Sequence, residues 1–560
     1  MGWAVLPAPR LALEPQSSRA EKKSTFSSME VALQPSPRRY PSRPHPNQHS
    51  TRVACFPPFT RAASLSENAV LVMSRLGDFG VLSRSIVRWF RSSGGSLKER
   101  TFRGAGWSVV GEACTRLAAV TKVAVLGRLL APRDFGLLGI ALLVQQWVES
   151  FTQTGVNAAL IQKREDIRPY LNSGWTFQIL RSLLVAALIF LAAPLGGRFF
   201  QNPDAIPAIR AVGLLTLLWG FTNPAVVYLR KEMDFRRDVA WRLTGAVVGL
   251  AVGIPLGFWL RNAWALVLSV VAARAAETIA SYWVHPYRPR LQLEWSRVWE
   301  LMRFGRWIFW LNIVAFFELY IDSLAIGRFL GSAALGHYQV AQQIALQPVI
   351  QIANHVQGVL FPAFSKLDRN DALRRAFLSA ARLLSAALIP LGCFFTVFAE
   401  PLVYVVLGKK WLVISPALRI LVWAGVFRAL TGVTGPLFLS VGQPKWSAVG
   451  LLVKVLLTGA LVYPLLTRWG ILGVAGALAA ASAVSLCYQL AVVHRILRLR
   501  LRDLAAVLKP AVVGAAPFLA IPLVVRPSPS LAVYLLATAA IGLYLVTLFS
   551  VVQSHFRNRP

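Results

Sequence analysis

Charge and cysteine are scarce in this chain of 560 residues. Only 15% of the residues are charged, whereas 56% are hydrophobic and the mean hydropathy is +0.54. Disordered chains have low hydrophobicity, and ordinary soluble enzymes carry more charge on their surfaces. The composition therefore excludes both classes and indicates a membrane protein that crosses the bilayer many times.

Cysteine is too rare and too dispersed to build a framework. The four cysteines are Cys55, Cys114, Cys393 and Cys487. Three of them fall within apolar stretches, and their spacing matches neither a disulfide scaffold nor a metal-ligand motif. We therefore expect them to be small packing residues, with no metal site and no resident cofactor.

Acidic residues are also few, because 24 Asp and Glu stand against 59 Lys and Arg, for a net charge of +35. Such a charge in a soluble protein would suggest a nucleic-acid partner. Here the basic residues lie mainly in short loops between apolar stretches, where they set membrane topology, so no nucleic-acid partner is expected. The loops predicted to face outward are short and hold no pair of carboxylates, which argues against an enzyme such as a membrane glycosyltransferase or polysaccharide polymerase.

Residues 1–72 differ from the rest in being rich in Pro, Ser and Arg with little apolar periodicity. We predict a disordered basic tail, and no secretory signal is visible in it. Our hypothesis is that translation starts at Met73 and that the upstream segment is a mis-assigned reading frame. Residues 73–103 are expected to form an amphipathic segment on the cytoplasmic side.

The remainder of the chain reads as about fourteen apolar stretches, each close to the roughly 20 residues that a spanning helix needs. We place the spans at 104–130, 135–161, 171–195, 206–228, 239–260, 263–284, 304–330, 334–360, 376–398, 414–441, 446–466, 471–493, 508–525 and 531–552. The predicted fold is therefore all-α. It has a six-helix lobe over 104–284, a cytoplasmic linker over 285–303, a second six-helix lobe over 304–493, and two more helices with a cytoplasmic tail over 494–560.

Basic residues concentrate in every second loop. Clusters begin at Lys163, Arg230, Arg288, Lys366 and Arg495, whereas the intervening loops mostly hold a single basic residue. By the positive-inside rule, the clustered loops and both termini are cytoplasmic.

The chain also repeats itself at an offset of 200 residues. The matched positions include Trp107 and Trp307, Gly127-Arg128 and Gly327-Arg328, and Gly136 and Gly336. Further along, Pro255 of the fifth span pairs with Pro464 of the eleventh. Because each half has an even number of spans, the two halves are predicted to be parallel and related by an axis along the membrane normal, a known plan for transporters.

Several predicted spans carry charged residues near their middles, where each costs about 2.5–3.5 kcal/mol even on a lenient insertion scale. A chain that keeps them is expected to line a polar cavity. The cations predicted to bind an anionic cargo are Arg116, Lys122, Arg181, Arg274, Arg382 and Arg428. Arginine suits phosphate because its planar guanidinium can bind two oxygens at once. The alternative is a set of ion pairs that only pack helices, such as Glu112–Arg116 and Arg274–Glu277.

The intramembrane carboxylates are candidates for coupling transport to Na⁺ or H⁺. They are Glu112, Glu149, Glu277, Glu318 and Asp322. Under the repeat, Lys122 and Asp322 are equivalent positions. The two lobes are therefore expected to face each other with opposite charges at this depth.

Four segments carry a family resemblance, namely LKERTFRGAGWS at 97–108, GRLLAPRDFG at 127–136, TGVNAALIQ at 154–162 and YLNSGW at 170–175. They resemble the bacterial oligosaccharide flippases of the multidrug/oligosaccharidyl-lipid/polysaccharide exporter superfamily. The resemblance runs from Leu97 to the C-terminus and is strongest over the first three spans.

The resemblance implies a central cavity between two lobes and transport by alternating access. It implies that undecaprenyl-pyrophosphate-linked oligosaccharide moves from the cytoplasmic to the outer leaflet of the bacterial inner membrane, for O-antigen, lipopolysaccharide or exopolysaccharide synthesis. Membrane lipids are expected partners, as are a polysaccharide polymerase and its chain-length machinery. The alternatives within the superfamily are a lipid-linked peptidoglycan-precursor flippase and a multidrug or cation antiporter.

Overall fold

The computed structural model describes residues 97–152, 168–232, 234–367 and 370–524, together with 541, 542 and 544. All regular secondary structure in these residues is helical, which confirms the predicted all-α class. The predicted tail over 1–72, the start at Met73 and most of the last span, 531–552, lie outside the described residues. The total of fourteen spans therefore stays a prediction.

Seven helices form the first half of the described chain. They are α1 (Leu97–Leu129), α2 (Pro132–Ser150), α3 (Arg168–Phe199), α4 (Ala205–Gly220), α5 (Val226–Lys231), α6 (Phe235–Leu260) and α7 (Ala263–Val284). Pro132 begins α2 because its missing N–H needs no partner in the first turn. The turn before α7 is closed by Asn262, whose side chain accepts a hydrogen bond from the N–H of Trp264 at 3.0 Å.

The predicted fourth span is divided into α4 and α5 by a break around Asn223 and Pro224. Proline cannot donate a backbone hydrogen bond, so the helix is interrupted there. The freed groups find partners on neighbouring segments. The Asn223 N–H donates to Ser281 Oγ at 2.9 Å, and its side-chain amide donates to the carbonyl of Tyr287 at 2.8 Å. Such replacement is what membrane proteins need wherever a helix breaks.

The second half contains α8 (Trp295–Phe329), α9 (Gly331–Phe364), α10 (Asn370–Val397), α11 (Ala399–Leu407), a 3₁₀ turn (Lys409–Ile414), α12 (Ser415–Thr431), α13 (Thr434–Ser440), α14 (Lys445–Leu497) and α15 (Leu501–Val524). α14 covers two predicted spans, which meet in a kink at Gly470 with φ of 57°. Glycine allows this left-handed conformation without a steric penalty. α8 begins at Trp295, inside the segment 285–303 predicted as a linker.

Six described helical stretches are long and apolar enough to cross a membrane, judged by length and composition. They are Arg168–Phe199, Phe235–Leu260, Ala263–Val284, Asp371–Val397, Lys409–Ser440 and Lys445–Leu497. α1 is not among them, since Glu112, Arg116 and Lys122 interrupt its apolar sequence. The chain is a multi-pass membrane protein.

The repeat is visible where α2 crosses α9. A Cβ placed at Gly136 would lie 1.7 Å from the carbonyl oxygen of Ser332, and one placed at Gly336 would lie 1.9 Å from the carbonyl oxygen of Pro132. At an offset of 200, Gly136 corresponds to Gly336 and Pro132 corresponds to Ser332. The repeat therefore converts each of these two contacts into the other. Two copies related by a two-fold axis make such reciprocal contacts. Only glycine lets the two backbones approach so closely.

Candidate functional site

A cavity of about 430 Å³ lies beside the α2–α9 crossing. Gly139 and its repeat equivalent Gln339 both line it, so the cavity lies on the axis that relates the halves. Its polar lining comprises Arg116, Gln146, Glu318, Tyr320, Asp322, Ser323, Gln339, Gln342, Gln343, Gln347, Arg428, Lys454 and Ser482. Three of these residues are cationic and two are carboxylates.

The charged centre of this cavity is formed by three residues from three helices, which we call the Glu318 cluster: Glu318 of α8, Arg428 of α12 and Lys454 of α14. Glu318 Oε1 accepts a hydrogen bond from Lys454 Nζ, and Oε2 accepts one from Arg428 Nη2 at 3.2 Å. The side chains of Glu318 and Lys454 are only 8% and 7% exposed, whereas Arg428 is 34% exposed. The three helices bring these charges together because an unpaired charge would be costly at such burial.

Asp322 lies one turn beyond Glu318 on α8 and is buried. Its carboxylate accepts hydrogen bonds from the Tyr338 hydroxyl at 2.6 Å, the Gln342 amide at 2.7 Å and the N–H of Ser323 at 2.6 Å. The Tyr338 and Gln342 donors tie α8 to α9. The expected opposition of Asp322 to Lys122 is wrong, because Lys122 Nζ lies 3.4 Å from Ser269 Oγ inside the first half.

Arg116 of α1 reaches the cavity from the first half. Its Nε donates to Glu112 Oε1 at 2.7 Å, and its Nη1 donates to Gln347 Oε1 of α9 at 2.8 Å. The Glu112–Arg116 pair that the sequence left as an alternative therefore forms, yet 42% of the arginine side chain stays exposed. Pairing and cavity exposure coexist here, because a guanidinium has five N–H donors.

An apolar groove of about 700 Å³ runs between α1, α9, α10 and α11. Apolar side chains from all four helices line it, among them Val120, Ile344, Phe395 and Leu402. It shares Arg116, Gln343 and Gln347 with the central cavity. The cavity therefore continues into a surface that suits a hydrocarbon chain.

Arg274, another predicted anion ligand, lies outside the lining of the central cavity. Its guanidinium donates to Glu277 Oε2 at 2.6 Å and lies 4.8 Å from the centre of the Trp219 ring. The predicted helix-packing pair Arg274–Glu277 is therefore present. The structure supports a packing role for Arg274 within the first half.

Arg181 and Arg382 also lie outside the central cavity. Arg181 Nε donates to the carbonyl oxygen of Thr152 at 2.7 Å, and Nη2 lies 3.2 Å from its hydroxyl oxygen. This arginine thus satisfies a carbonyl just beyond the end of α2, where the helix leaves such groups unpaired. Arg382 is exposed on α10.

Among the five predicted coupling carboxylates, Glu318 and Asp322 line the central cavity. Glu149 accepts a hydrogen bond from Thr216 Oγ1 at 2.5 Å between α2 and α4. Glu277 packs over Gly245, where an added Cβ would lie 2.4 Å from its carboxylate oxygen.

The two halves contact each other where α1 meets α2. Trp411 of the 3₁₀ turn is fully buried and donates its indole N–H to the carbonyl of Gly127 at 2.7 Å. Lys410 Nζ donates to the carbonyl of Leu130 at 2.5 Å, and Arg128 donates to the carbonyl of Val405. We call this set the first clasp.

A second clasp relates to the first through the repeat. Arg328, the equivalent of Arg128, donates to the carbonyl of Phe199 at 2.8 Å. A Cβ at Gly127 would lie 2.8 Å from Leu407, and one at Gly327 would lie 2.8 Å from Phe200. The repeated Gly-Arg pairs found in the sequence therefore make reciprocal contacts between the halves.

This chain matches a known protein family. Residues 125–416, more than half of the chain, match the model of a family described as "Polysaccharide biosynthesis protein". The chain belongs to this family. The predicted resemblance and the predicted transporter class are confirmed.

Curated relatives of this polysaccharide biosynthesis protein extend the match. The lipopolysaccharide biosynthesis protein WzxC of Escherichia coli is 25% identical over 62% of this chain and 71% of its own length. The succinoglycan biosynthesis transport protein ExoT of Rhizobium meliloti is 27% identical over 64% and 74%. The teichuronic acid biosynthesis protein TuaB of Bacillus subtilis is 24% identical over 75% and 88%.

Solved structures share the fold of this family member. The lipid II flippase MurJ, in an inward closed conformation, superposes with a TM-score of 0.65 at 11% identity and covers 80% of this chain and 99% of its own. An inward-facing multidrug-resistance transporter of the MATE family, in the MOP superfamily, gives 0.52 at 15% identity and covers 70% and 98%. At these identities the likeness establishes the fold alone.

Sequence reasoning missed several cavity residues of this protein. Lys454 was not among the predicted anion ligands, although it lines the cavity and is part of the Glu318 cluster. The glutamines of α9 were also missed. Their signal was present, because Gln339, Gln343 and Gln347 recur every fourth residue and so share one helical face.

Proposed function

We propose that this protein carries undecaprenyl-pyrophosphate-linked oligosaccharide units from the cytoplasmic to the outer leaflet of the bacterial inner membrane, for surface polysaccharide synthesis. One observation carries the proposal. A charged cavity on the repeat axis joins an apolar groove at Arg116. Such a site is suited to a cargo with an anionic head and a hydrocarbon tail.

The diphosphate is assigned to Arg116, Arg428 and Lys454, which line the cavity. Guanidinium groups bind two phosphate oxygens at once, and the lysine adds a compact third charge. Arg116 faces the site from the first half and the other two from the second. A diphosphate between them would therefore contact both lobes, as a cargo that couples their motion must.

The sugar and the lipid occupy different surroundings in this proposal. The glutamines of α9 and Ser482 offer both donors and acceptors to hydroxyl groups. The isoprenoid chain lies in the apolar groove, where burial contributes about 25 cal/mol per Å² of apolar area removed from water. A chain already in lipid gains less, so the groove mainly guides the tail while the head enters.

The two clasps fit one state of an alternating-access cycle. They close the end of the cavity at which α1 meets α2, which the positive-inside rule predicts to face outward, with both termini cytoplasmic. Export requires that both clasps open. Glu318 and Asp322 are the carboxylates best placed to couple this step to Na⁺ or H⁺. The delivered units then become available to a polymerase and its chain-length machinery, and no bond in the cargo is made or broken.

Reconstitution tests this proposal. Purified protein in proteoliposomes should move a fluorescent undecaprenyl-pyrophosphate-linked oligosaccharide between leaflets, measured by quenching from one side. New glycosidic bonds would identify an enzyme, and preferential movement of lipid II would identify a peptidoglycan-precursor flippase. Movement of a cationic dye but of no lipid-linked sugar would identify a drug antiporter.

A further inference from the structure

We infer that Glu318 is an internal substitute for the diphosphate of the cargo: it pairs with Arg428 and Lys454 in the empty cavity, and the incoming diphosphate displaces it. This inference rests on the proposed function and adds how the same site is regulated. In this role Glu318 itself occupies the anion site between the two cations, which differs from coupling transport to an external ion.

The geometry of the cluster supports this role. Each oxygen of Glu318 meets a different cation, Lys454 at Oε1 and Arg428 at Oε2. The carboxylate therefore occupies the position between the two cations that an anionic ligand would take. It reaches that position from α8, whereas the cations come from α12 and α14.

The charge balance leaves the cluster attractive to a second anion. Two cations share one carboxylate, so one positive charge remains, and Arg428 is 34% exposed on the cavity side. Asp322, the next carboxylate on α8, accepts its described hydrogen bonds from Tyr338, Gln342 and a backbone N–H, not from Arg428 or Lys454. Its charge also acts on Lys454, but the cavity lining as a whole still holds three cations against two carboxylates.

A diphosphate has the means to replace Glu318. It carries more charge than one carboxylate and several oxygens, so it can bind the fork of Arg428 and the ammonium of Lys454 together. When the cargo leaves, Glu318 pairs with both cations again. The empty transporter can then return without burying unpaired cations in its interior, which would be strongly unfavourable.

The test is binding of inorganic pyrophosphate to the purified full-length protein by calorimetry. Glu318→Gln removes the competing charge, so the variant should bind pyrophosphate about tenfold more tightly than the wild type, a difference of about 1.4 kcal/mol. In proteoliposomes the same variant should show a lower KM and a lower kcat for the lipid-linked oligosaccharide, because the unloaded return becomes slow.

Two further variants keep the test decisive. Glu277→Gln removes a carboxylate paired with Arg274 outside the central cavity, and its affinity for pyrophosphate should equal that of the wild type. Glu318→Asp keeps the charge but shortens the side chain. It should tighten binding by a smaller factor, and it serves if Glu318→Gln does not fold.

Equal or weaker pyrophosphate binding in the folded Glu318 variants, with normal transport by the wild type, would overturn the inference and leave the proposed function intact. An equal gain in Glu277→Gln would also overturn it, since the effect would then be general electrostatics. Failure of the wild type to move lipid-linked oligosaccharide would instead remove the proposed function itself.

Discussion

The two halves of this protein share a backbone plan and differ in where they put their charges. The Gly-Arg pairs make reciprocal clasps, and Gly136 and Gly336 make reciprocal backbone contacts. In contrast, the first half keeps Arg274 within its own packing and brings one charged residue, Arg116, to the lining of the central cavity, whereas the second half brings four. The two halves thus share their backbone contacts, whereas their charged residues are placed differently.

The helices α6 and α14 show this difference at equivalent positions. The offset of 209 that relates Pro255 to Pro464 also relates Gly245 of α6 to Lys454 of α14. The buried stripe of α6 is made of Gly245, Gly249, Gly253 and Gly257, and its counterpart in α14 is Lys454, Thr458, Val462 and Leu466. Glycine leaves space that the Glu277 side chain fills, so that carboxylate stays in the first half. In the second half Lys454 fills the equivalent position and reaches Glu318.

The largest expected effect separates these two halves functionally. Arg428→Gln removes an anion ligand from the cavity and should lower transport at least about thirtyfold, because losing one buried charged partner costs about 2–5 kcal/mol. Arg274→Gln, the matched change in the first half, should keep most of its transport per folded molecule. Quenching assays in proteoliposomes measure both. Equal losses in the two variants would contradict the assignment of binding to the central cavity.

The crossing of α2 and α9 gives the next effect. Gly336→Ala would put a Cβ 1.9 Å from the carbonyl of Pro132, and we expect destabilisation of about 1–3 kcal/mol from this overpacking. Gly358→Ala on the same helix meets nothing within 4 Å and should stabilise by up to about 1 kcal/mol. Thermal unfolding in detergent compares them, and a shift of the same sign in both variants would argue against the close crossing.

The two clasps are equivalent under the repeat, but among the described residues the first contains more hydrogen bonds than the second. Arg328→Ala removes the charged hydrogen bond of the second clasp and should favour opening by about 1 kcal/mol. Arg128→Ala leaves Lys410 and Trp411 of the first clasp in place, so we expect a smaller effect. The readout is labelling of a cysteine introduced in the closed end. Faster labelling in Arg128→Ala than in Arg328→Ala would reverse this order.

The smallest effect concerns α15, which packs on α10 of the second half. Asp503 accepts hydrogen bonds from the N–H of Arg500 and from Arg374, and these hold the pKa of its carboxyl below the ordinary value. Its contribution is present above the unfolded pKa of about 4 and is lost as pH falls through the lowered folded pKa. The melting temperature of Asp503→Asn should therefore lie slightly below that of the wild type at neutral pH. The difference should vanish in acid, and a difference that persists there would refute this account.

Much of the backbone arrangement was predictable from the sequence. Apolar length indicated the helices, and the offset of 200 indicated which glycines and arginines are equivalent in the two halves. The site was only partly predictable. Arg116 and Arg428 line the cavity as expected, but Arg181 meets the backbone beyond the end of α2, a contact that no periodicity reveals. A helical projection shows which residues share a face, and it does not show which neighbour that face will meet.

A structure of the protein with a lipid-linked diphosphate bound tests the central claim most directly. The account predicts phosphate density between Arg116, Arg428 and Lys454, with Glu318 withdrawn from both cations and the isoprenoid in the groove beside α1. Phosphate bound instead at Arg274 in the first half, with the Glu318 cluster intact, would contradict it.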